Sequence, residues 1–224
     1  MKNILIAGAT GMIGGTVLRL CLEHNDVNCI TSIVRRASGD RHEKLVEIIH
    51  DDFADYSALQ KLFKDIQVAY FCIGVYTGQV SKDMFRTITV DYAKAFGDML
   101  KMQSPEATLC FLSGQGADQS ETSRLMFARD KGVAENHLLR LGLKQTYIFR
   151  PAYIYPVQPR NEPNHSYRLL RKLYPIIKIV YPRGVVTSDE LAKAMMLVGI
   201  EGAAASILEN SDIKKLGARD VAND

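Results

Sequence analysis

The chain has 224 residues, 47% hydrophobic and 24% charged, with 16 glycines and 7 prolines. This is a globular composition, long enough for one domain with an appendage and too short for two large ones. Its 28 basic and 25 acidic residues leave a net charge of +3, too weak and dispersed a balance to imply nucleic acid or an anionic membrane.

The first apolar run, Ile4 to Ala7, ends in a glycine cluster, and Met12 to Leu22 then carries apolar residues at helical spacing. That order predicts a strand, a tight turn and a helix. Strand-sized apolar segments follow at Asn28–Val34, Leu45–Ile49, Val68–Ile73, Ala107–Leu112 and Tyr147–Phe149, with helix-length patterns at Ser57–Phe63, Lys82–Met102 and Ser123–Leu141. Parallel neighbours need crossover connections, and strands covered on both faces become apolar throughout. The alternation therefore predicts an α/β fold, a Rossmann-like doubly wound parallel sheet.

After Arg150-Pro151 the texture changes. Pro151, Pro156, Pro159, Pro163 and Pro175 crowd into a stretch rich in tyrosine and arginine, which predicts a long loop with a helix, and Val157–Arg183 is expected to wall a small-molecule cleft. Arg168, Arg171 and Lys172 form a local basic cluster there, read as a solvated helix face. Thr187-Ser188-Asp189-Glu190 has capping-box spacing and predicts a helix running to about Gly199. Residues 1–224 are thus expected to form one domain, with 151–224 a small elaboration on the substrate side.

Cys21, Cys29, Cys72 and Cys110 follow no zinc, CxxC or disulfide-framework spacing and are read as reduced core thiols. The histidines form no HxxxH or HxH pair, so metal catalysis has no support. The apolar run Ala194–Ile200 is far below a membrane span, and no signal-peptide pattern is seen near Met1. A cytoplasmic protein is expected.

Gly8-Ala9-Thr10-Gly11-Met12-Ile13-Gly14 joins the first strand to the first helix, the context in which a glycine motif implies dinucleotide binding. One glycine allows the sharp turn, the next admits a pyrophosphate close to backbone, and the third permits tight helix–strand packing. The helix N-terminus contributes N–H groups and partial positive charge. The spacing is GxxGxxG, without the Lys-Ser/Thr ending of a P-loop. Arg35 and Arg36 stand at the end of the second strand, where a site selective for NAD would place an acidic residue against the ribose. A guanidinium there suits a 2′-phosphate, so NADP(H) is the preferred cofactor and NAD(H) the alternative. A solvated basic turn is the other reading of these arginines. Asp52-Phe53 and Gly74 follow the third and fourth strands and are candidate cofactor contacts; turn chemistry would explain either equally well.

These residues, with Ser113 after the fifth strand, Lys131 in the next helix, Phe149-Arg150-Pro151 after the sixth strand and Leu191-Ala192-Lys193-Ala194-Met195, make the sequence resemble the short-chain dehydrogenase/reductase superfamily. Within it, the resemblance is to the atypical NAD(P)H-binding branch that includes NmrA-like and biliverdin/flavin reductase-like proteins. The resemblance covers nearly the whole chain. It implies a dinucleotide stretched across the strand ends, with its nicotinamide near Ser113 and Pro151. Active members carry Tyr-x-x-x-Lys in the helix after the fifth strand, the tyrosine handling a proton and the lysine holding the ribose. This chain reads Phe127-Ala128-Arg129-Asp130-Lys131, with the lysine present and the phenol absent. A second match, Tyr174 to Lys178, contains Pro175 and is read as coincidence. Tyr153 and Tyr155 are better placed to approach a nicotinamide.

The expected assignments are therefore Gly8, Thr10, Gly11, Met12, Ile13 and Gly14 at the pyrophosphate, Arg35 at the 2′-phosphate, Lys131 at the ribose, and Ser113 orienting a substrate. Hydride transfer to a flavin or quinone forms a delocalised anion that solvent can protonate, whereas a simple ketone requires a positioned acid. An NADPH-dependent reductase of such acceptors is the expected function, and a non-catalytic NADP(H) redox sensor the alternative. Ser113 lacks the Gly-x of a nucleophile elbow, which argues against a serine hydrolase. The expected assembly is a monomer or homodimer.

Overall fold

The computed structural model describes residues 1–158, 171, 174 and 180–219. Seven parallel strands form one sheet in the order β3-β2-β1-β4-β5-β6-β9. They are β1 (Lys2–Ala7), β2 (Val27–Val34), β3 (Leu45–Ile49), β4 (Val68–Phe71), β5 (Thr108–Leu112), β6 (Gln145–Arg150) and β9 (Ile207–Glu209). A separate parallel pair joins β7 (Tyr153–Tyr155) to β8 (Val185–Thr187). The Rossmann-like architecture expected from the sequence is present.

Strand side chains alternate between faces, and both faces are covered. Ile4, Ile6, Ile30, Val68, Tyr70, Cys110 and Phe149 pack into one core with α1 (Met12–Glu23) and α5 (Ser188–Glu201). Leu5, Ala7, Ile33, Ala69, Phe71, Leu109, Phe111 and Ile148 pack into the other with α3 (Tyr92–Gln103) and α4 (Met126–Arg140).

Several elements differ from expectation for local reasons. Ser57–Phe63 is a 3-10 helix. The helix expected over Lys82–Met102 is α2 (Lys82–Arg86), a π-turn (Thr87–Asp91) and α3. Helix α4 starts at Met126 and not Ser123, because Asp118 Oδ2 accepts the backbone N–H groups of Thr122 and Ser123 at 3.1 and 2.7 Å. The capping box at Thr187 is made in both directions. Its helix passes Gly199 and stops at Gly202, whose φ is +88°. Gly199 is a packing residue, since a Cβ there would lie 2.2 Å from the Tyr70 hydroxyl. Strand β9 and α6 (Asn210–Gly217) were not expected. The wall expected over Val157–Arg183, with most of its basic cluster and the Tyr174–Lys178 motif, falls largely outside the described residues.

All four cysteines are free, Cys21 and Cys110 being buried. No helix among the described residues is long and apolar enough to cross a membrane.

Candidate functional site

The strand order reverses between β1 and β4, and in such sheets a crevice opens outside the carboxyl ends of the strands flanking the reversal. The glycine turn builds its floor. Gly8 has φ +92°, and a Cβ there would sit 2.9 Å from the Cys72 carbonyl carbon. A Cβ on Gly14 would lie 2.2 Å from the Gly8 oxygen. These two glycines thus let β1, α1 and the end of β4 close on one another. Gly11 donates its N–H to the Gly8 carbonyl at 3.0 Å and is the N-cap of α1, where no side chain supplies a capping hydrogen bond.

Two clefts meet there, sharing Gly11 and Met12. The larger, about 630 Å³, spans the ends of β4, β5 and β6. Its walls are Ile13, Cys72 to Thr77, Gln79, Leu112 to Gln115, Phe127, Lys131 and Pro151 to Ile154. The other, about 590 Å³, runs along α1 past Ala9, Thr10, Gly15, Thr16 and Arg19 to Ser38, Asp40, Pro156, Gln158 and Ser188.

Lys131 and Phe127 lie one turn apart on α4 and both face the larger cleft. Lys131 is buried; its ammonium donates to the Leu112 carbonyl at 3.2 Å and stands 5.3 Å from the centre of the Phe111 ring. Burial brings its pKa down from 10.5 to about 8, against an opposing pull from Glu135. Burial likewise pushes the Cys72 thiol up to about 12, so that thiol stays neutral.

Behind Ser113 lies a polar network. Glu135, fully buried, accepts from Ser113 Oγ at 2.5 Å, Gln119 Nε2 at 3.0 Å and Arg150 Nε at 3.0 Å, and it is also bonded to Arg150 Nη2. Arg150 reaches on to Glu209 at 3.1 Å. Its hydrogen bond to Glu135 raises the guanidinium pKa still further. Both Glu135 oxygens accept from the Arg150 guanidinium in a fork-to-fork pairing, and the Ser113 hydroxyl is the donor in its contact with Glu135. Ser113 is thereby left with lone pairs, and not its proton, for any neighbour in the cleft.

Of the residues expected at the site, Gly11, Met12, Ile13, Gly74, Ser113, Lys131 and Pro151 line the larger cleft, and Thr10 lines the other. Gly8 and Gly14 shape the turn beneath them. Asp52, Phe53, Arg35 and Arg36 line neither. Asp52 is exposed and accepts the N–H of Ala54 at 3.0 Å. Phe53 is 4% exposed and packs on Tyr56 and Tyr92. Arg35 and Arg36 are exposed, and no side-chain bond of theirs is found among the described residues. Glu135, Gln115, Tyr76 and Arg19 were not anticipated. Glu135 was within reach of the sequence, because it lies one turn beyond Lys131 on the same helical face.

Residues 4–113 match the family model described as NAD dependent epimerase/dehydratase family. The chain is 23% identical over 206 residues to "Protein FMP52, mitochondrial" of Meyerozyma guilliermondii, covering 90% of this chain and 86% of that one. It is 24% identical over 238 residues to the protein of the same name from Aspergillus clavatus, covering 98% and 100%. These names overturn the expectation of a cytoplasmic protein. Among solved structures, the Bordetella bronchiseptica enzyme WbmH in complex with NAD+ is similar with TM-score 0.67 and 18% identity, over 93% of this chain and 74% of that one. A UDP-N-acetylglucosamine 4-epimerase from Methanobrevibacter ruminantium M1 gives TM-score 0.68 and 20% identity, over 92% and 74%. At these identities the likeness concerns the fold. The matching model is that of the epimerase/dehydratase family and lends the NmrA-like branch no support. The match to the family model spans just under half of the chain, and the seven-stranded parallel sheet with its glycine turn is the fold of these NAD-binding structures.

Proposed function

We propose that the crevice binds a nicotinamide dinucleotide, NADP(H) ahead of NAD(H), and that the chain is an NADPH-dependent reductase of a conjugated small acceptor of flavin or quinone type. The observation that carries this reading is the meeting of two clefts at the side-chain-free N-cap of α1, with buried Lys131 and apolar Phe127 walling the far one. Each cleft has the volume of a small-molecule site.

The residues fit such a ligand. Gly11 brings no Cβ to the helix end, and Thr10, Gly11 and Met12 form the rim joining the two clefts, where a pyrophosphate would meet backbone N–H groups and the helix dipole. A Cβ on Gly74 would meet nothing within 4 Å, so the end of β4 leaves open space. Lys131 would hold the nicotinamide ribose, and Pro151 and Phe127 would give the ring an apolar wall. Arg35, exposed at the end of β2, is free to turn towards a 2′-phosphate. Gly8 and Gly14 contribute by packing. Asp52 and Phe53, engaged in a turn and in the core, receive no role.

When bound, the dihydronicotinamide supplies hydride. With Phe127 in the tyrosine position and the Ser113 proton directed to Glu135, neither residue donates a proton to an alkoxide, which favours acceptors whose reduced anion is delocalised. The same absence favours a second reading, a non-catalytic NADP(H) sensor. Fluorescence titration with NADPH and NADH, followed by assays with FMN and menadione at saturating cofactor, separates them. Binding with turnover supports the reductase, binding without turnover supports the sensor, and no binding removes both.

A further inference from the structure

The end of β5 shows the larger cleft an edge whose donors are spent. Ser113, 7% exposed, lines that cleft. Its backbone N–H goes to the Phe149 carbonyl at 2.9 Å and its hydroxyl proton to Glu135 Oε1 at 2.5 Å. Two residues on, the Gln115 N–H goes to the Pro151 carbonyl at 2.9 Å, and Pro151 itself carries no N–H. A hydroxyl that gives away its proton keeps its lone pairs, so Ser113 Oγ meets a ligand as an acceptor.

The flank of this edge is apolar. A Cβ on Gly114 would lie 3.0 Å from Phe127 Cζ, so the Phe127 ring comes up against the backbone beside Ser113. A flat ring lying along Phe127 therefore brings its edge to a hydrogen-bond acceptor. The Lys131 ammonium, which donates to the Leu112 carbonyl next door, is the group already given to the ribose.

Resting on the reductase reading above, we infer that Ser113 selects the acceptor: the site takes a conjugated ring with an N–H on its edge, an imide or lactam of the isoalloxazine kind, over a quinone, whose edge oxygens only accept. A quinone oxygen placed against Ser113 Oγ faces lone pairs with no proton between them, and both atoms lose water without gaining a partner. A ring N–H fills that contact. Sites that pair a ligand N–H reject the analogue lacking it more strongly than apolar pockets reject by size, because the protein's own polar atom is left unpaired. The buried Glu135, held by Arg150 and Gln119, keeps the serine turned this way.

The test uses the whole chain with saturating NADP+, so that nothing turns over, and reads binding from quenching of flavin fluorescence. Lumiflavin carries the ring N–H; 3-methyllumiflavin is the same ring with that hydrogen replaced by a methyl group. Wild-type protein is expected to bind lumiflavin about tenfold tighter. Ser113→Ala is expected to bring the two affinities within about twofold of each other, and Ser113→Thr, which keeps a hydroxyl for Glu135, to retain the preference. Wild-type protein that binds the two flavins equally, or binds neither, or a Ser113→Ala variant that keeps the preference, overturns the inference and leaves the cofactor reading intact. Wild-type protein that binds no nicotinamide dinucleotide removes both.

Discussion

Ser113, at the end of β5, gives its hydroxyl proton to Glu135 on α4 across 2.5 Å. That contact ties the strand end to the helix that carries Phe127 and Lys131, and it sets which polarity the serine shows to the cleft. Removing the buried Glu135 leaves the half-buried Arg150 with Glu209 alone and Ser113 and Gln119 without their acceptor, and breaking a buried pair costs about 3–5 kcal/mol. Glu135→Ala is therefore expected to lower unfolding free energy by that amount in urea titrations. Ser113→Ala, which leaves the Arg150 pair in place, costs about 1.5 kcal/mol. Equal small losses would mean that the network does not hold the two elements together.

The glycines separate packing from ligand room. Gly14→Ala drives a methyl into the Gly8 carbonyl, and relief requires moving the turn or α1. A loss of about 3 kcal/mol or more and of nucleotide binding is expected, as for other overpacked sites. Gly74→Ala meets open space, so stability changes by less than about 0.5 kcal/mol while dinucleotide affinity falls. Thermal melts with and without NADPH distinguish the two outcomes.

Arg35 is exposed and makes no side-chain hydrogen bond or ion pair among the described residues. Arg35→Ala is expected to leave the melting temperature unchanged, to weaken NADPH binding by about tenfold, equivalent to 1.4 kcal/mol, and to leave NADH binding unaltered. Equal NADPH affinity in the two proteins would make the arginine pair a solvated turn.

Lys131 also predicts a stability profile. Its pKa is lowered in the folded protein, to about 8, so between pH 8 and the unfolded value near 10.4 the unfolded chain binds more protons. Stability then rises with pH across that window. Lys131→Met removes the buried charge and is expected to be more stable by about 1–4 kcal/mol near pH 7, with the advantage shrinking as pH rises through the window. A constant difference across pH would contradict the shifted lysine.

The sheet and the glycine turn were legible because each is written locally. Ile4 to Ala7 is apolar, Gly8, Gly11 and Gly14 follow at fixed offsets, and Thr187 and Glu190 carry their cap within one turn. Strand β9 was not legible, because three residues become a strand only by pairing with Ile148 to Arg150. The π-turn at Thr87–Asp91 left the apolar spacing of its helix intact and so hid in it. At the candidate site, the motif residues Gly11, Ser113, Lys131 and Pro151 line one cleft. Phe53 turns inward to Tyr56 and Tyr92, and the sequence left its place open because an aromatic after a strand looks alike whether it faces a cleft or the core. The Glu135–Arg150 pair was hidden because nothing local distinguishes a buried carboxylate from a solvated one.

Calorimetric titration of the full chain with NADPH and NADH, with Gly14→Ala as control, asks whether the crevice at the start of α1 holds a nicotinamide dinucleotide. Saturable one-to-one binding is expected, with Kd below about 100 µM, tighter for NADPH and absent in the folded fraction of the variant. No heat from either nucleotide at millimolar concentration, with the wild-type protein folded, would contradict it.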